Sequence, residues 1–175
     1  MTIAVYPAAF DPITNGHIDI ATRASQIFDH VVVGVYDQPS KTLLFSTEER
    51  LEMVRQALAH LPNVRVELYA GLTVGFAREH QAKVMVRGLR VLSDFEWELQ
   101  LALTNRKMAP DVDTVCLMAS QEYSFLSSSV VKEIALLGGN VEELVPQHVA
   151  MALRTKFADL GDDGHGRVRS ISVRD

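Results

Sequence analysis

The sequence predicts an α/β fold: a doubly wound, five-stranded parallel sheet with helices on both faces. Three observations predict it. Five short apolar runs alternate with helix-forming stretches along the chain. No repeat or internal linker interrupts them. The polar motifs fall where the first, second, fourth and fifth apolar runs end. Alternation of this kind marks a parallel sheet covered by helices. Ligands of such sheets bind beyond the carboxyl ends of the strands.

The first strand is Ile3 to Tyr6, followed by Pro7-Ala8-Ala9-Phe10-Asp11-Pro12. Thr14-Asn15-Gly16-His17 then opens a helix through Ala24. The second strand is Val31 to Tyr36, and a loop from Asp37 to Phe45 carries Pro39-Ser40-Lys41. Ser46 stands three before Glu49, a capping-box spacing, and opens a helix through Leu51, Val54, Leu58 and Leu61. Val64 to Tyr69 alternates as a strand, and a short helix from Val74 to His80 follows. Lys83 to Val86 is the fourth strand, ending in Arg87-Gly88-Leu89-Arg90.

Phe95, Trp97, Leu99, Leu101 and Leu103 alternate with the period of a strand. The residues between them favour helix, and Ser93 with Glu96 has capping-box spacing, so a helix is expected. Its apolar side chains spread around most of the circumference. Burial on more than one side is therefore expected, partly against another subunit. Val112 to Met118 is the last strand. Ser127-Ser128-Ser129 caps a helix that stops at Gly138-Gly139, and Pro146 opens a final helix through Leu153 and Phe157. One domain is expected over residues 1–158. Residues 159–175 are expected to form a flexible tail, because Gly161 to Asp175 is rich in glycine, aspartate and arginine without periodicity.

Composition narrows the function. The chain has 175 residues, 47% of them hydrophobic and 22% charged, as in ordinary globular proteins. A net charge of −5 argues against non-specific nucleic-acid binding. An anionic ligand must be met by a local basic cluster. Cys116 is the only cysteine, so no intrachain disulfide forms and a reducing cytoplasm fits. The N-terminal apolar run is too short for a signal peptide core, and no segment is long enough to span a membrane.

The chemistry concentrates at the strand ends. A helix start offers backbone N–H groups and the positive end of a dipole, and there His17 can donate to a phosphate. Alone, such a histidine more often merely caps or packs. Likewise Lys41, Arg87 and Arg90 alone are solvated charges, and Ser127 to Ser129 alone are a cap. Their shared position at strand ends favours a site for a polyphosphate and a second anion.

Together these motifs resemble the bacterial phosphopantetheine adenylyltransferases of the His/Thr-x-Gly-His nucleotidyltransferase superfamily. The resemblance covers about residues 1 to 158. It rests on Asp11-Pro12-x-Thr14-x-Gly16-His17, Pro39-Ser40-Lys41, Arg87-Gly88-Leu89-Arg90, Asp94-Phe95-Glu96, and Tyr123 to Ser129 with Lys132-Glu133. It implies a Rossmann-like sheet and a homo-oligomer, a hexamer built as a dimer of trimers. It also implies the reaction of ATP with 4′-phosphopantetheine to give dephospho-coenzyme A and pyrophosphate. His17, Lys41 and Arg87 are implied as catalytic, Lys41 and Arg87 holding the attacking phosphate. ATP is implied to meet Ala9, Phe10, His17, Gly88, Leu89, Arg90, Glu98, and the run Tyr123, Ser124, Phe125, Leu126, Ser127, Ser128 and Ser129. Phosphopantetheine is implied to meet Ala9, Lys41, Thr73 and Arg87. Mg²⁺ would travel with ATP, with no dedicated protein site.

One departure stands out. The family usually has glycine then threonine or serine where this chain has Ala8-Ala9. Two other readings therefore remain. One is a sister nucleotidyltransferase acting on nicotinamide mononucleotide or a polyol phosphate. The other is a nucleotide- or coenzyme A-binding regulator that has lost catalysis.

Overall fold

The computed structural model describes residues 1–38 and 43–162. The strands are β1 (Ile3–Ala8), β2 (His30–Tyr36), β3 (Val64–Tyr69), β4 (Val84–Leu89) and β5 (Asp113–Met118). The helices are α1 (Asn15–Ile27), α2 (Thr47–Leu58), α3 (Thr73–Glu79), α4 (Leu92–Met108), α5 (Ser128–Leu136) and α6 (Gln147–Asp162). All strand pairs are parallel, in the order β3-β2-β1-β4-β5.

Side chains along β1 and β2 go to alternate faces, as a pleated strand requires. Ala4, Tyr6, Val31, Val33 and Val35 join one core with residues of α1, α2, α5 and α6. Val5 and Val32 join the other, with Val74, Phe76 and Ala77 of α3. The central strands are thus buried on both sides, which is why they read as continuous apolar runs.

The chain order reverses between β1 and β4, the switch point where doubly wound sheets open a crevice. The β1–β2 ladder runs from Ile3↔His30 to Ala8↔Val35. The β1–β4 ladder holds only Ala4↔Val84 and Val5↔Met85. Pro7 has no N–H to extend a ladder. Its carbonyl instead accepts from Arg87 Nη1 at 2.8 Å. The two strands therefore part at their carboxyl ends with an arginine side chain between them.

The capping box at Ser46–Glu49 forms as its spacing predicts. Several boundaries differ. Strand β4 continues to Leu89, so Arg87 and Gly88 lie within the strand rather than after it. Helix α2 ends at Leu58, and Leu61 sits in the following turn. Helix α4 begins at Leu92 with Val91 as its N-cap, so Ser93 is inside the helix and not its cap. Pro146 lies just before α6, its carbonyl accepting from Val149 and Ala150 N–H. The expected tail boundary at 158 falls inside α6, because Leu160 extends the apolar stripe of Phe157 and packs on the core. Residues 163–175 lie outside the described residues.

Helix α4 departs most from expectation. Phe95, Trp97, Leu99 and Leu103 are 50%, 60%, 46% and 62% exposed. Their burial is not achieved among the described residues. Glu98 is buried and turns toward the cleft, which Asp94 and Trp97 also line. Among the described residues, no helix is long and apolar enough to cross a membrane.

Candidate active site

A cleft of about 770 Å³ opens at the carboxyl ends of β1 and β4. That is ample for a nucleotide. Ala8, Ala9, Phe10, Thr14, Gly16 and His17 line one side, with Arg87, Gly88, Arg90, Asp94, Trp97 and Glu98 on another. Tyr123, Leu126, Ser127 and Ser128 complete it, and Tyr36 and Tyr69 flank the β2 side.

His17 is the third residue of α1. Thr14 is the N-cap, and its hydroxyl accepts from His17 N–H. In return Thr14 N–H donates to His17 Nδ1 at 3.1 Å. This is a capping box with histidine in the position usually held by glutamate or glutamine. The bond decides the tautomer. Nδ1 accepts, so the proton of the neutral ring is on Nε2. The ring also meets the edge of Phe10, with centroids 5.2 Å apart. A donor nitrogen is thereby fixed in direction from the opposite side of the ring. The cap takes its share of the helix start: Asn15 N–H goes to the Leu144 carbonyl and His17 N–H to Thr14. The α1 anion site is narrower than the sequence suggested.

The cations of the cleft are paired. Arg87 gives Nε and Nη2 to the two oxygens of Glu98, at 2.8 and 2.7 Å. Burial works against the Arg87 charge, but the Glu98 carboxylate outweighs it and raises the guanidinium pKa further. With Nη1 on Pro7, three of its five donors are used, which leaves one N–H on each terminal nitrogen. Arg90 repeats the pattern. Its Nε and Nη2 hold Asp94, and its Nη1 donates to the Leu126 carbonyl at 3.1 Å. Desolvation would raise the Asp94 pKa, yet the Arg90 contacts hold it below the ordinary carboxylate range. The sequence reading counted these arginines as added positive charge. The structure instead gives two oriented forks, each fixed by its own carboxylate.

Helix α5 supplies the other wall. Ser127 caps it, its hydroxyl accepting from Val130 N–H at 3.1 Å. Ser128 Oγ donates to the Pro12 carbonyl at 2.8 Å, tying this helix start to the loop after β1. The N–H groups of Ser128 and Ser129 make no hydrogen bond among the described residues.

Not every expected residue reaches the cleft. Leu89 is buried in the sheet, and Ser124 Oγ closes a local turn on the Gln121 carbonyl. Phe125 points to solvent at 64% exposure. Ser129 and Thr73 do not line the cleft. Lys41, with Pro39 and Ser40, lies outside the described residues.

Three charged residues escaped the sequence reading as site residues. Asp11 is buried; its Oδ2 accepts from Lys132 Nζ at 2.8 Å and Leu44 N–H at 3.1 Å, and its Oδ1 from Phe45 N–H. Lys132 and Asp11 both line the cleft floor. Arg50 is buried in α2 behind the loop. A signal for two of them exists. Arg50 falls on the apolar stripe of Met53, Val54 and Leu58, and Lys132 lies beside Val131 and three before Ala135. A cation on an apolar stripe calls for a buried partner.

A family model described as cytidylyltransferase-like matches residues 5–134, which places the chain among nucleotidyltransferases. A phosphopantetheine adenylyltransferase of Herpetosiphon aurantiacus is 56% identical over 157 residues, 90% of this chain and 95% of that protein. That of Desulforudis audaxviator is 56% identical over 162 residues, 93% and 99% of the two chains. That of Synechococcus elongatus is 57% identical over 154 residues, 88% and 93%. The chain belongs to the phosphopantetheine adenylyltransferase family. The fold is also that of a crystal structure from Vibrio parahaemolyticus, a candidate nicotinate-nucleotide adenylyltransferase. The TM-score is 0.66 at 17% identity, covering 92% of this chain and 94% of that one.

Proposed function

We propose that this chain transfers the adenylyl group of ATP to 4′-phosphopantetheine, giving dephospho-coenzyme A and pyrophosphate. The observation that carries the reading is His17. Its Nδ1 is committed to Thr14 N–H, so Nε2 is the donor and faces a cleft framed by two carboxylate-fixed arginines. The attacking group is a phosphate, ionised at neutral pH, so no general base is needed. The barrier lies in bringing two anions into line and stabilising charge on the α-phosphate.

In this reading His17 donates to the α-phosphate in the transition state. Arg87 and Lys41 hold the attacking phosphate, Arg87 through the N–H groups left by Glu98. Gly88, Arg90, Tyr123, Leu126, Ser127 and Ser128 border the nucleotide. Mg²⁺ arrives as part of the MgATP substrate. The exposed apolar face of α4 supports assembly into a homohexamer, since patches of this kind mark protein interfaces. The cytoplasm is the compartment where ATP is available to such a reaction, and it suits the lone thiol Cys116.

The test is pyrophosphate release from ATP with phosphopantetheine, run beside nicotinamide mononucleotide. Release with phosphopantetheine alone is expected. Release with the mononucleotide instead would identify the sister activity, and ATP binding without release would identify a regulator.

A further inference from the structure

We propose that Arg50 is a positioning residue that aims the N–H of Phe10 into the cleft as a phosphate donor beside His17. This deepens the proposed function and rests on it. Arg50 belongs to α2 and is 1% exposed. Its Nη1 donates to the Ala9 carbonyl at 2.6 Å and the Tyr36 carbonyl at 2.9 Å, and its Nη2 to Thr47 Oγ1 at 3.1 Å. The two carbonyls lie where β1 and β2 end, so one guanidinium ties both strand ends behind the cleft.

The consequence is a matter of peptide geometry. The Ala9–Phe10 bond is trans, since Asp11–Pro12 is the one cis bond among the described residues. In a trans peptide the C=O and N–H point in opposite directions. The carbonyl turns inward to Arg50, so the Phe10 N–H turns outward, to the cleft that Ala9, Phe10 and His17 line. That N–H makes no hydrogen bond among the described residues. An N–H that faces the cleft with no protein acceptor is a donor a ligand oxygen can use. Phe10 also sits at φ 51°, a left-handed conformation unfavourable for a bulky side chain. Such conformations persist where the surroundings hold them. The positive charge on the carbonyl polarises the peptide and strengthens its N–H as a donor.

The arginine carries a cost of its own. Its Nε is buried without a partner. Burial lowers the guanidinium pKa, against the pull of Asp11, Asp37 and Glu48. An apolar chain would fill the same stripe beside Met53 and Val54 without that orphaned donor, but would take the partner from the Ala9 and Tyr36 carbonyls. Only a guanidinium fork reaches two carbonyls and a hydroxyl at once.

Arg50→Lys, Arg50→Met and Val54→Ala test the proposal. Lysine keeps the charge but not the fork, and Val54→Ala weakens the same helix away from the cleft. Turnover is measured on the folded fraction, with melting temperatures alongside. Both Arg50 variants are expected to lose about 10²-fold in kcat/KM for ATP, the scale of a misaimed donor, while Val54→Ala keeps wild-type kcat/KM. Normal kcat/KM in folded Arg50→Lys, or an equal loss in Val54→Ala, overturns it. A second readout is independent of turnover. On adding ATP, the Phe10 amide proton should move downfield in wild type and not in Arg50→Lys; no movement in wild type also overturns the proposal. If that shift occurs but phosphopantetheine yields no pyrophosphate, the acceptor assignment fails and the role of Arg50 stands.

Discussion

His17 has two roles in this structure, and they can be separated. It closes the cap of α1 through Nδ1, and it presents Nε2–H to the cleft. His17→Ala removes both. Losing the donor is expected to cost about 10²–10³ in kcat. Losing the cap leaves Thr14 N–H unpaired in a residue 1% exposed, which costs about 1–3 kcal/mol of stability. His17→Gln removes only the donor, because glutamine at this helix position can return an acceptor to the N-cap N–H. It places no N–H where the imidazole Nε2 stands. Steady-state kinetics with ATP and phosphopantetheine, and thermal melts, should therefore diverge. His17→Ala should lose both turnover and melting temperature. His17→Gln should melt close to wild type yet lose turnover to the same degree. In both, KM for ATP should change far less than kcat, since the interaction forms mainly in the transition state. A His17→Gln enzyme that melts normally and turns over within a few-fold of wild type would refute the donor role.

Four further outcomes follow from the geometry. Arg87→Lys cannot hold both Glu98 oxygens and Pro7; a lost charged hydrogen bond of about 1.5–3 kcal/mol should raise KM for phosphopantetheine roughly 10- to 100-fold, read by initial rates. Gly34→Ala would place a Cβ 2.5 Å from Phe76 Cε1 and 2.9 Å from Tyr69 Cδ1, and should cost about 1–3 kcal/mol in urea unfolding. Burial raises the pKa of Tyr6 above the ordinary phenol value, so its stabilising share is complete below about pH 10 and is lost as pH rises beyond that. Tyr6→Phe should flatten the alkaline fall in stability by up to about 1.4 kcal/mol per pH unit, while Tyr69 and Tyr123 titrate equally in both proteins. Light scattering at micromolar concentration should give six times the chain mass, and Leu103→Glu, on the exposed face of α4, should lower it.

Strands were legible because burial on both faces writes long apolar runs, as in Val31-Val32-Val33. Caps were legible where a small polar side chain has one local job, as at Ser46 and Ser127. Ser93 shows the limit: its spacing from Glu96 matches Ser46 and Glu49, yet the helix already starts at Leu92. Helix α4 could be assigned from propensity but not placed, because Phe95, Trp97, Leu99 and Leu103 stay exposed among the described residues. The cleft was legible at Thr14-x-Gly16-His17 and at Arg87 to Arg90, where motif and strand end coincide. The pairing of Arg87 with Glu98 was not, since the two are eleven residues apart and only the turn from β4 into α4 brings them together. The partners of Asp11, Lys132 and Arg50 were not legible: an apolar stripe marks Arg50 and Lys132 as needing one, but the partner of Lys132 lies 121 residues away.

The missing hydroxyl at Ala9 bears on whether this chain catalyses or only binds. The side chain there can give a ligand nothing but van der Waals contact, so recognition falls to the backbone. In this structure that backbone is held from behind: Ala9 by Arg50, Pro12 by Ser128, and Leu44 and Phe45 by Asp11, itself neutralised by Lys132. Donors fixed in advance cost no reorganisation when charge develops on a phosphate. A regulator needs only ground-state contacts, which mobile surface arginines and a helix start can supply. It has no use for a histidine whose cap forces the proton onto the cleft-facing nitrogen, nor for arginines bonded twice each to a carboxylate. Those features add little ground-state affinity and much directional precision. Directional precision is what an in-line transfer between two anions requires, so the loss of one hydroxyl is set against a site whose remaining donors are already aimed.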